Sequence, residues 1–124
     1  MKLNAVLAGV GMTPFARHRD RSLKSLASEA IQGALRDAGL KPGELQAAYM
    51  GTAAASIITG QVCVPGEVVL REMGVGGIPV VNVENACATA STALNQAAAM
   101  VSFGAYDVVL ACGINIHCTA YPKR

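Results

Sequence analysis

The chain has 124 residues, 52% hydrophobic and 15% charged, with no Trp and a formal net charge of +2. That length gives one small domain, and the near-neutral balance, with no Lys/Arg stripe interleaved with aromatics, argues against a nucleic-acid partner. The charged share is well below the usual quarter or so, which implies that some faces are covered by other protein.

The opening "MKLNAVLAGVGMTPFARHRD" carries an apolar run too short for a secretory signal and soon turns charged. No apolar run reaches the ~20 residues of a spanning helix, so a soluble, cytoplasmic chain with no membrane partner is expected. Leu3 to Met12 reads as a first buried strand ending in a Gly-x-Gly turn. The basic cluster "RHRDR", Arg17 to Arg21, reads as a solvated loop, with a weak phosphate contact as the alternative.

Ser22 to Gly39 places Leu23, Leu26, Ala27, Ala30, Ile31, Ala34, Leu35 and Ala38 on one helical stripe. Ser22 offers the N-cap and Gly39 the C-terminal stop. "KPGEL" is a turn, and Leu45 to Gly51 a short second strand. "TAAASIITG" has no period and reads as loop. Gly60 to Gly74 holds the helix "EVVLREMG", with Pro65 in its first turn or just before it. Ile78 to Glu84 is a third strand, residues 87–103 a third helix and Tyr106 to Gly113 a fourth strand. The tail "INIHCTAYPKR" fits no element.

The order is β-α-β-α-β-α-β. Strands written as continuous apolar runs and joined by helices predict an α/β fold, a mostly parallel sheet with helices on both faces.

The four cysteines, Cys63, Cys87, Cys112 and Cys118, are far apart with no CxxC pair, so reduced thiols are expected. Cys112, His117 and Cys118 do not make a convincing metal set, because two of them are adjacent and no fourth ligand follows. No metal is expected.

In parallel sheets, ligands gather at the carboxyl ends of the strands. Cys87 lies there, between the third strand and the third helix. With Asn85 as N-cap, its sulfur would sit in the helix's first turn, near free N–H groups and the positive dipole end. Both favour the nucleophilic thiolate, and the same N–H groups can hold an oxyanion. The competing reading is a small buried hydrophobe. The helix that follows is thin all round, with alanines at 88, 90, 93 and 97–99 and no Lys or Glu between Glu84 and Asp107. It is expected to lie between two layers, with Cys87 at its buried or cleft-facing end.

The stretches "GIPVVNVENACATASTALNQAAAMVSFGAYDVVLACG", "VLAGVGMTPFAR" and "TGQVCVPGEVVLREMGVGGIPVVNV" resemble the thiolases, particularly the sterol carrier protein X-type group. The likeness runs from Leu3 to about Gly113 in matching order. β-Ketoacyl synthases share the fold and a Cys at this point, so a ketosynthase-like condensing enzyme acting on carrier-protein thioesters is an implied alternative. The resemblance implies that residues 1–113 form a thiolase N-terminal-like domain, followed by a divergent tail, 114–124. It implies that Cys87 is the catalytic residue, accepting an acyl group from an acyl-CoA. That thioester is a substrate, and no bound cofactor is implied. Condensation to a 3-ketoacyl-CoA, or the reverse thiolysis, would follow. The Cys87 N–H is implied as an oxyanion donor.

Thiolases have two similar halves, and the chain resembles the first. The histidines and second cysteine of the other half have no counterpart in His18 or His117. A homo-oligomer, or a partner chain supplying the other half, is therefore implied. So is the alternative of a non-catalytic assembly subunit or truncated remnant.

Overall fold

The computed structural model describes residues 3–115. Seven regular elements follow in chain order: α1 (Leu23–Ala38), β1 (Ala47–Gly51), α2 (Ala55–Thr59), α3 (Pro65–Glu72), β2 (Val80–Val83), α4 (Thr89–Ser102) and β3 (Val109–Gly113). The strands form one parallel sheet in the order β2-β1-β3. Ala48 pairs with Val80 on one side of β1 and with Leu110 on the other.

Helix α1 begins and ends where its chemistry dictates. The Ser25 N–H donates to Ser22 Oγ at 3.1 Å, satisfying one of the free donors of the first turn. Gly39 closes the helix in the left-handed region, φ 68°, which costs a residue without Cβ little. Leu23, Leu26, Ala27, Ile31 and Leu35 are buried on one stripe.

The pleat of β1 divides the core. Ala48 and Met50 join Ile31 and Leu35 of α1, Val69 and Leu70 of α3, and Leu110 and Cys112 of β3. Tyr49 points the other way, to Val83, Ala93 and Ala97, so α4 covers the second face. Helices thus lie on both faces of a parallel sheet, as the apolar strand runs imply.

Two expected elements differ. Leu3 to Met12 is no strand, and Val6, Leu7, Val10 and Met12 are exposed. Its donors go to side chains instead of a ladder: Asn4 N–H to Ser102 Oγ and Val10 N–H to Asp37 Oδ2, both at 2.9 Å. Both sides of β1 are already occupied by β2 and β3, and the segment lies across α1 with Gly9 and Gly11 against the helix backbone. The order of the described elements therefore opens on α1. The stretch read as loop, "TAAASIITG", contains α2. Its first turn is held by the Ala55 N–H on Thr52 Oγ1, 3.2 Å, and Gly60, φ 73°, ends it. A helix this short shows no period.

The carboxyl ends of the strands are tied together. Thr52 N–H donates to the Val83 carbonyl at 3.2 Å, and Ile114 N–H to that of Gly51 at 2.7 Å. Here glycine has a steric job. A Cβ on Gly51 would stand 2.6 Å from Thr89 Cγ2, and one on Gly113 would collide with Ala90 Cβ. The two glycines let the start of α4 settle directly on the sheet edge, and this fixes the segment just before it.

Candidate active site

That segment carries Cys87. After Val83 ends β2, a single 3₁₀ turn, Ala86–Ala88, leads into α4. Cys87 is the middle residue of this turn and is exposed. The junction lies where the residue pattern puts it. The details differ from expectation in three ways. Asn85 does not cap α4, and its side chain instead donates to Thr92 Oγ1 at 2.9 Å. Cys87 precedes the first turn of α4. Cys87 is also exposed, because α4 packs on the sheet through Thr89, Ala93 and Ala97 while its opposite side, with Leu94 half exposed, is uncovered among the described residues.

Ala86 has φ 45°, the left-handed region that a side chain enters at a cost. Three hydrogen bonds hold it there. Its N–H donates to Glu84 Oε1 at 2.7 Å, and its carbonyl accepts from Thr89 Oγ1 at 2.7 Å. Thr89 Oγ1 in turn accepts from the Asn85 N–H at 2.8 Å. Thr89 is buried and uses its hydroxyl both ways, so it pins the turn from below while its methyl touches the Gly51 position. The Cys87 N–H makes no hydrogen bond among the described residues and precedes the first bond of the turn, Ala88 N–H to the Asn85 carbonyl.

Glu84 and Thr89 were not singled out by sequence reasoning. The available signal was a Thr two residues after the thiol, on the buried stripe with Ala93 and Ala97. It became decisive only once Ala86 was seen in its left-handed conformation.

The other polar and sulfur residues fall elsewhere. Cys112 is buried in the core beside β1, and burial pushes its thiol up to about 12. It is an inert neutral group at ordinary pH. Cys63 is exposed on the loop before α3. His18 Nε2 bonds the Pro14 carbonyl at 2.8 Å and lines a cavity to which Cys87 does not contribute. The structure therefore does not bring His18 to the thiol. His117, Cys118 and the rest of the expected tail from residue 116 lie outside the described residues. No group of three or more His, Cys, Asp or Glu converges among the described residues. No helix among them is long and apolar enough to cross a membrane.

Comparison with known proteins adds an independent line. The sequence profile described as "Thiolase, N-terminal domain" matches residues 5–121. Sterol carrier protein 2 of Gallus gallus is 38% identical over 115 residues, covering 91% of this chain and 20% of that protein. Acetyl-CoA acetyltransferase of Methanocaldococcus jannaschii is 35% identical over 111 residues, covering 90% of this chain and 28% of the other. The chain thus spans about a fifth to about a quarter of these relatives' length. Among solved structures, 3-oxoacyl-[acyl-carrier-protein] synthase III from Aquifex aeolicus VF5 superposes with TM-score 0.70 at 22% identity, covering 86% of this chain and 34% of that one.

Proposed function

The chain belongs to the thiolase family, matching its N-terminal domain, and from that premise we propose that Cys87 accepts an acyl group from a CoA thioester. The exposed thiol at the carboxyl edge of a parallel sheet, on a turn pinned by Glu84 and Thr89, is the observation that supports this most. Cys87 Sγ, once deprotonated, attacks the thioester carbonyl. The oxygen becomes an oxyanion, for which the Cys87 N–H, unbonded among the described residues, is the candidate donor. Collapse of the tetrahedral intermediate breaks the carbonyl–sulfur bond to CoA. The departing CoA thiolate takes up the proton lost from Cys87, leaving an acyl-thioester on the protein.

A second acyl-CoA, deprotonated at the carbon next to its carbonyl, would then displace Cys87 and form a 3-ketoacyl-CoA. Thiolysis runs the same bonds backwards. Removing that proton needs a base within hydrogen-bond reach, and the described residues bring no histidine to the thiol. We assign the base to protein outside these residues. The bare side of α4, with Leu94 and Phe103 exposed, is the surface it would cover. Reduced thiols at Cys63 and Cys87 fit a cytoplasmic setting.

Incubation with acetyl-CoA followed by intact-mass measurement tests the first half-reaction. One acetyl group on the wild type, absent from Cys87→Ala, is the expected result. An unmodified wild type, or an equal adduct on the variant, refutes the proposal. Offering an acylated carrier protein in parallel separates CoA thioesters from the carrier-bound substrates of the ketosynthase alternative.

A further inference from the structure

A cavity of about 820 Å³ opens away from the Cys87 turn, none of whose residues lines it. It lies between the loop before α1 and the starts of α1 and α3, with α2 at its side. Its floor is apolar: Leu23, Leu26 and Val69 are buried there. Its rim is cationic. Of the sixteen lining residues among those described four are Arg or Lys, and none is Asp or Glu. A chain with a formal charge of only +2 thus gathers four of its ten basic residues at one opening.

Two of the four are committed to the fold. Arg21 pairs with Glu29 at 2.7 Å and donates to the Ser25 carbonyl at 3.0 Å, and Lys24 pairs with Glu72 at 2.6 Å. Arg17 and Arg19 are exposed and make no ion pair among the described residues, although Asp20 lies beside them in the chain. Ser22, Thr59 and Gln61 add neutral polar groups to the wall.

We propose that this cavity is a binding site for a phosphate ester with an apolar or aromatic body, its phosphate held by Arg17 and Arg19 and its body on the floor formed by Leu23, Leu26 and Val69. Two guanidinium forks match phosphate oxygens in geometry and charge. The apolar floor adds contact to an ester's body that inorganic phosphate alone does not make. The site does not depend on the chemistry proposed for Cys87.

Isothermal titration of the full chain with adenosine 3′,5′-bisphosphate, octyl phosphate and inorganic phosphate tests the site. At least one ester should saturate at one per chain and bind about tenfold or more tighter than inorganic phosphate, since the floor contributes only to the esters. Arg17→Gln with Arg19→Gln should weaken that ester by about tenfold or more, and so should high salt. Cys87→Ala should leave it unchanged. The ester that wins identifies the body as aromatic or aliphatic. Both substituted side chains are exposed, and an unchanged circular dichroism spectrum confirms the fold. Failure of both esters to saturate, equal affinity for inorganic phosphate, or full affinity in the doubly substituted chain overturns the proposal.

Discussion

On the face of the sheet that carries α1 and α3, large side chains are sealed from water: Ile31, Met50, Val69 and Leu70 are each no more than 1% exposed. On the face that carries α4 the contact is made by Thr89, Ala93 and Ala97 against Tyr49 and Val83, and the helix's far side is open. Apolar burial scales with area removed from water, so the first face supplies most of the stability. The second buries little but brings a helix backbone close to the strand ends. Bulk holds the fold, and smallness places the thiol.

The sharpest way to break this comparison is to empty each face in turn. Ile31→Ala should cost about 2–5 kcal/mol in urea unfolding, from lost transfer energy and the cavity left behind. Ala93→Gly on the other face should cost only about 1 kcal/mol, mainly through helix propensity. Equal losses would mean that the α4 face contributes more than its area implies.

The second test concerns placement. Gly51→Ala drives a methyl into Thr89 and should cost about 1–3 kcal/mol as α4 lifts from the sheet edge. The displacement should change the alkylation rate of Cys87 while that of Cys63, on a separate loop, stays constant. Identical ratios in wild type and variant would show that the thiol's position does not depend on that contact. Thr89→Val keeps the shape but leaves the Asn85 N–H without its acceptor and removes one of the two donors to the Ala86 carbonyl. A loss of about 1 kcal/mol is expected for hydrogen bonds removed at a part-buried site, read by thermal unfolding, again with altered Cys87 alkylation.

The smallest effect separates Cys112 from the exposed Cys63 and Cys87 by pH. Cys112 has its folded pKa raised from 9.0 to about 12 by burial. The folded state therefore holds the proton more tightly than the unfolded chain. Its stabilising contribution is complete below pH 9 and is lost as pH rises from 9 towards 12. One unit above 9 the loss should be about 1 kcal/mol, and Cys112→Ala should abolish this share of the slope. Iodoacetamide at pH 8 should label Cys63 and Cys87 in the folded protein and Cys112 only after unfolding.

Much of the scaffold was legible because local chemistry and tertiary need agree there. Ser22, the apolar stripe and Gly39 specify α1 within a residue of its ends. Gly51 and Gly113 end strands, and Cys87 falls at the junction between β2 and α4. Where reading failed, the missing information was non-local. Leu3 to Met12 is apolar enough for a strand, but apolarity does not reveal that both sides of β1 are occupied. Nor does it reveal that Asp37 and Ser102 will take the segment's donors. Asn85 is a good capping residue by type, yet the positive φ of Ala86 redirects the chain and makes Thr89 the pin. An alanine gives no local hint of that conformation.

The placement of β1 has a consequence for biosynthesis. Of the three described strands it is the first made and the middle one of the sheet, and its partner at residues 109–113 is the last made. Closing that pairing spans some sixty residues, and long-range parallel pairing is slow. The nascent chain therefore carries Ala47 to Gly51 with one flank unsatisfied until Gly113 has emerged. During that interval the exposed flank is open to wrong partners, so chaperone demand should fall between the synthesis of β1 and that of β3.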